Sequence, residues 1–219
     1  MASQIAHIVY ADKFFKKLEL GEVSEEISRG LLYPAGNISK DEFIIGSTFP
    51  DIRRIDTDIK RKYTHMYFPK IDLDFLGLSS FEAGWKFHLY CDMRREEILN
   101  KYDFYSLDHA ADHYHHPAKI LEDELVYDDY NNWEKIASYF NHPTLTIPDI
   151  NISRETFALW YAVLAKYIEK KPDERSTRIF LSKQVGLPGT VDELMGSIAR
   201  IRKNKKATEI LMKVKEEMI

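Results

Sequence analysis

The chain has 219 residues, close to one large domain at about 150 residues per domain. Apolar residues make up 44% and charged residues 30%, a balance that permits a packed core and excludes wholesale disorder; Gly 9 and Pro 8 exclude collagen-like and low-complexity sequence. Lys plus Arg 31 against Asp plus Glu 35 gives a net charge of −4, which argues against a general nucleic-acid binder, because phosphate binding is driven by excess cations.

The N-terminal residues carry no basic segment followed by a long apolar run, so no signal peptide is visible. Ser3 stands where it can cap a first helix carrying Ile5, Ile8, Val9, Phe15 and Leu18 at mostly three- and four-residue spacing. After the break Tyr33-Pro34-Ala35-Gly36-Asn37, Ser39 and Glu42 form a capping box that opens Phe43-Ile44-Ile45. Pro50 restricts the residue before it, which predicts an end to that helix near Phe49. A second break runs from Phe68-Pro69-Lys70 to Leu78, and a second capping box, Ser79 with Glu82, opens a helix through His88 to about Leu99. The single cysteine, Cys91, lies on it and excludes an internal disulfide and a Cys-rich zinc module. The His-rich stretch Asp108 to Pro117 follows, then a helical segment containing Glu122 and Asp123, read as a solvated acidic face or as a further ligand or base.

The stretch from His142-Pro143 to Pro148-Asp149 is the natural boundary, with Leu145-Thr146-Ile147-Pro148 read as a Pro-bounded loop. All eight histidines lie at or before its first residue, His142, and none follows. This divides the chain into a metal-binding helical part, 1–142, and a helical C-terminal part, 151–219, packed on it. Ser153 caps Phe157 to Ile168, which stops before Pro172; Thr190 with Glu193 opens Leu194, Ile198 and Ile201; Arg200 to Lys206 reads as a solvated basic tract. Strand signals are thin and no repeat is apparent, so the expected class is all-α, a multi-helical single domain with a helical C-terminal extension. The longest uncharged, largely apolar stretch, Thr156 to Ala165, is far short of the roughly 20 residues of a bilayer span. A soluble cytoplasmic protein is expected.

The chemistry starts at His88 and Asp92. Four residues apart on a helix, they project about 40° apart around the axis, an imidazole and a carboxylate on one rigid platform suited to a divalent cation. Asp51, in Gly46-Ser47-Thr48-Phe49-Pro50-Asp51-Ile52, projects from a stiff helix-to-loop junction. His65 follows. His7, flanked by Ile5, Ala6, Ile8 and Val9, needs a partner for its ring nitrogens, and a metal or a backbone carbonyl would serve.

These motifs in this order, a helical Ala6-His7-Ile8, Gly46 with Pro50-Asp51-Ile52, His65, and His88 with Asp92, resemble the zinc-dependent phospholipase C family, itself similar to the S1/P1-type nucleases. The resemblance covers roughly residues 1–95. It implies an all-α fold with zinc ions in a cleft that activate water to cleave phosphate esters. It implies that Asp51, His65, His88 and Asp92 hold one zinc, that His7 serves a neighbouring zinc with Asp92 bridging, and that Asp51 also orients or deprotonates the attacking water. The ligands of the family's remaining zinc have no clear match, which implies one or two ions. A His- and Asp-rich set without thiolate also suits manganese or iron.

His109 and His113, four apart, are further candidate ligands, with His115 and His116 beside them. Arg53 and Arg54 are candidate phosphate clamps, since a guanidinium can bind two phosphate oxygens. Tyr63, Tyr67, Phe68, Trp85 and Phe87 are candidates for a substrate pocket or for core. The reading is a metal-dependent hydrolase acting on a small phosphodiester or phosphomonoester. An HD-type nucleotide phosphohydrolase would need a His-Asp dipeptide, and Asp108-His109 and Asp112-His113 run in reverse order. A non-catalytic, metal-stabilised helical interaction module is the third possibility.

Overall fold

The computed structural model describes residues 3–23, 38–143 and 152–219. Among these residues the regular structure is entirely helical. The α-helices are α1 (Gln4–Glu19), α2 (Lys40–Thr48), α3 (Arg61–His65), α4 (Ser80–Lys101), α5 (His116–Val126), α6 (Trp133–Asn141), α7 (Arg154–Ile168), α8 (Glu174–Ser182), α9 (Val191–Lys203) and α10 (Lys205–Glu217), linked in places by single 3-10 turns. No helix of the described residues is long and apolar enough to cross a membrane. The loop readings at 33–37 and 145–148 lie outside the described residues.

Local chemistry explains most helix starts. Ser79 accepts from Glu82 N (3.2 Å) while the Glu82 carboxylate accepts from Ser79 N (2.9 Å), and Thr190 with Glu193 repeats the arrangement. Ser153 accepts from Thr156 N at 3.0 Å. At α2 only half of the expected box forms: Ser39 accepts from Glu42 N, but its own N–H goes to Ser80 Oγ (3.0 Å), so the first turns of α2 and α4 are tied together.

Ser3 occupies the N-cap position of α1 without capping it. Asp123, fully buried on α5, takes the role instead, accepting from Ala6 N (3.0 Å), the Ser3 hydroxyl and the Tyr167 hydroxyl (3.1 Å). Glu122 is equally buried: it accepts from Tyr10 (2.5 Å) and from Arg95 Nε (2.6 Å). The solvated acidic face expected there is therefore corrected, because both carboxylates cross-link α5 to α1 and α4 inside the molecule.

The four-residue spacing of His109 and His113 would align them on a helix, and that helix does not form. Proline fits only the first turn of a helix, and with Pro117 in the chain α5 begins at His116. Before it, His109, His113, Tyr114 and His115 all adopt left-handed backbone, with φ of 64°, 49°, 54° and 65°.

Two glycines set the central crossing. A Cβ at Gly46 of α2 would stand 2.0 Å from Phe81 O, and one at Gly84 of α4 would stand 1.9 Å from Phe43 O. The two backbones touch, and side chains at either position are impossible without displacing one helix. Beside the crossing, Phe14, Phe43, Phe75 and Phe87 form one aromatic cluster, and Phe49 packs edge-on against Trp85. Trp85 and Phe87 are fully buried, so both belong to the core. The core is continuous across the 142–151 boundary: Trp160 Nε1 donates to Thr48 O (3.1 Å) and the Tyr161 hydroxyl to Ile45 O (2.6 Å), satisfying carbonyls in the last turn of α2.

Candidate metal centre

Four elements converge on one buried volume. The α2–α4 crossing brings the 3-10 turn that follows α2, and with it Asp51, against the middle of α4, where His88 and Asp92 face inward on the same side. Trp85, one turn before His88, donates to Thr64 O at 2.6 Å and so places the end of α3, hence His65. Asp123 holds the first turn of α1, hence His7.

His7 and His88 are completely buried, and Asp51, His65 and Asp92 are 6–8% exposed. The His7 and His88 rings stack with centroids 3.8 Å apart, and His65 stands edge-on to His88 at 5.5 Å. The Asp92 carboxylate lies 3.5 Å from His7 Nε2, 3.5 Å from His88 Nε2 and 3.9 Å from His65 Nε2. Donor atoms of His7, His88 and Asp92 lie within 4.8 Å of one another, as do those of Asp51, His65 and His88. The two sets share His88.

The buried nitrogens test whether a cation fits. His88 Nδ1 contacts Ser47 O at 2.8 Å; a carbonyl only accepts, so Nδ1 carries a proton, and it is Nε2 that would bind a cation in the neutral ring. His88 Nε2, His65 Nε2 and both ring nitrogens of His7 have no hydrogen-bond partner. Buried imidazoles in that state are unusual in a metal-free protein and normal around a cation.

Protonation favours the same use. Burial, reinforced by the neighbouring His88, lowers His7 to about 4 and His65 to about 3, so both rings are neutral at pH 7. Burial works to raise both carboxyls, yet both lie well below the usual range. His88 with Arg53 and Arg54 holds Asp51 there; His88 and His7 act on Asp92. Asp51 is further fixed by Gln4, whose Nε2 donates to Oδ2 at 2.7 Å, and Arg53 approaches Oδ1 at 3.6 Å. Gln4 carries no sequence signal beyond its place one turn before His7. Arg54, mostly buried beside Asp51, directs Nη1 to Gly186 O at 3.5 Å.

The His-rich stretch does not join the cluster. His109 pairs with Asp112 at 3.0 Å on the surface, and His113 lies 3.3 Å from Pro188 O. His115 packs against Tyr105. His116 is buried, with neither nitrogen bonded, and burial lowers it to about 3; it borders a small cavity with Asp51, Arg54 and Lys119. Sequence spacing suggested His109 and His113 because a helix would align them, and the left-handed backbone removes that alignment. On the other side of the cluster, a cleft of about 380 Å³ reaches His65 and Asp92 between Arg61, Tyr114 and Lys119. Tyr63, Tyr67 and Phe68 do not line it; Tyr67 and Phe68 pack on Trp85.

No family model matches the chain, and no curated protein or solved structure matches it.

Proposed function

We propose that this chain is a metal-dependent phosphoesterase of the phospholipase C-like kind that its motifs resemble. One observation carries the reading: neutral imidazole nitrogens without hydrogen-bond partners and two ionised carboxylates share a buried volume into which a cleft opens. A ligand-saturated structural site needs no such opening.

Zinc fits the donor set, with manganese or iron as alternatives. His7, His88 and Asp92 would hold one ion, or Asp51, His65 and His88 would; with both sets filled His88 could serve only one through Nε2. When bound, such an ion polarises a phosphoryl oxygen and brings the pKa of a coordinated water toward about 7. The protein supplies the rest. Asp51, ionised and held by Gln4 through Oδ2, keeps an Oδ1 that accepts no hydrogen bond and would orient a water for attack. Arg53 approaches that oxygen and places its charge where phosphoryl oxygens would gather. The Ser47 carbonyl keeps His88 in the ligating tautomer.

Elemental analysis of the purified protein, alongside a screen of p-nitrophenyl phosphate mono- and diesters, tests this. Stoichiometric metal and ester hydrolysis are expected. In His88→Ala both should be lost, since His88 is common to the two sets, and Asp92→Asn, which removes the carboxylate of one set, should lower the metal content and the hydrolysis. Unchanged metal content in these variants, or hydrolysis that survives chelation, rejects the reading.

A further inference from the structure

The cleft carries a second unusual feature, Lys119. It projects from α5 with only 6% of its surface exposed. Among the described residues its ammonium forms no hydrogen bond or ion pair. The alkyl stem is buried while the unpaired ammonium reaches the cavities that it borders, so a positive charge is held there with room for an anionic partner. Lys119 borders two cavities at once. One is the cleft that reaches His65 and Asp92; the other is the small cavity beside Asp51 and His116. The ammonium therefore flanks the candidate metal centre, with Arg61 on the cleft wall and the exposed Tyr114 ring at its rim.

We propose that Lys119 is an anion-binding residue of this site and that the substrate is a phosphate monoester, resting on the hydrolase reading above. The argument is one of charge and oxygen count. A monoester's second pKa is about 6, so near pH 7 it carries a charge of about −1.5 to −2 on three terminal oxygens. A diester carries a single negative charge on two. Asp51 and Asp92 are spoken for by the cation they would hold; of the remaining charges on the cleft wall, Glu96 offsets one of the two cations, Lys119 and Arg61, which leaves one positive charge in surplus. An oxygen turned away from the metal ligands meets Lys119, and only a terminal phosphate has one to spare while two others engage the opposite wall. Tyr114, at the mouth, lies where the organic part of the ester would leave the cleft. Inorganic phosphate, the product of monoester cleavage, has the same oxygens and serves as the probe.

The test is calorimetric titration of the zinc-supplemented full-length chain with inorganic phosphate and with dimethyl phosphate, plus zinc stoichiometry. Phosphate should bind the wild type at least about tenfold more tightly than dimethyl phosphate, the usual worth of a hydrogen bond to a charged group. Lys119→Met should weaken phosphate by at least about the same factor while zinc content is kept, and Lys119→Arg, which keeps the charge, should restore most of it. Removing an unpaired charge at a cavity wall should not unfold the protein, and a thermal melt checks this; the wild-type comparison of the two anions needs no variant. No phosphate binding by the wild type, equal binding of both anions, or an unaltered affinity in a folded Lys119→Met overturns the proposal. Phosphate binding of this kind with no ester hydrolysis refutes the hydrolase and leaves the anion site. Equal hydrolysis of mono- and diesters, indifferent to Lys119→Met, does the reverse.

Discussion

His88 uses its two ring nitrogens for two tasks. A proton on Nδ1 anchors it to Ser47 O, and Nε2 is thereby aimed among His7, His65 and Asp92. The neighbouring imidazoles make the site acid-sensitive, and the sign follows from linkage. His7 at about 4, His65 at about 3 and His116 at about 3 all lie below the ordinary histidine value of 6.5. Below about pH 6.5 the unfolded chain takes up protons that the folded chain refuses, so stability falls from there down through about pH 4. Asp123, pushed up to about 7 by burial, runs the opposite way between its ordinary 3.8 and 7, but one carboxyl stands against three imidazoles. The metal-free protein should lose on the order of 10 °C in melting temperature between pH 7.5 and 4.5. A zinc-induced rise at pH 7.5 should vanish by pH 4.5, since protons compete for the same nitrogens. Melting curves with zinc and with EDTA check both; a pH-independent zinc effect would exclude these imidazoles as ligands. At this scale the sequence was informative where a residue type has few uses inside a protein, as with His7. It was silent on Gln4 and Lys119, whose roles depend on what the fold leaves without a partner.

Helix starts were the most legible elements, because a capping residue and its N3 partner lie within one turn and act without tertiary help. Ser79, Ser153 and Thr190 behave so. Ser3 does not, because its cap comes from Asp123, 120 residues away along the chain. The His109–His113 alignment failed for a local reason that was already readable: a proline near the end of the stretch fixes where the following helix can begin. The α2–α4 crossing was not readable at all, since Gly46 and Gly84 show their purpose only once the two backbones are in contact. Gly84→Ala should cost at least about 1–3 kcal/mol, the range for overpacking a well-filled core, because Phe43 O cannot move without moving α2. It should also lower zinc affinity by separating Asp51 from His88. Chemical denaturation with a zinc titration measures the pair; a variant as stable as the wild type with full zinc binding would show that the crossing does not set the site.

At the scale of the molecule, the expected division at 142–151 separates histidine-bearing from histidine-free sequence, but not two cores. Trp160 and Tyr161 reach back to carbonyls of α2 immediately before the Asp51 turn, and Lys13 and Lys17 on α1 donate to backbone oxygens of Lys215 and Ile219. The C-terminal helices therefore complete the walls of the site they do not ligate. A chain ending at residue 142 should show no cooperative melt and bind no stoichiometric zinc; a folded, zinc-replete fragment would mean that the first part stands alone. Sequence could not reveal this dependence, because the contacts join residues more than 100 positions apart.

The bare α-carbons at the helix crossing have one more implication, for ion selection. A seam closed by main chain against main chain cannot dilate by rotating a side chain, so the spacing between the Asp51 turn and His88 has little give. Calcium, which takes six to eight oxygens at about 2.3–2.6 Å, would find too few oxygens and no slack to recruit more. Smaller transition ions that accept nitrogen would meet neither obstacle, so the proposed centre would discriminate against the larger cation through its backbone, upstream of any choice of ligand.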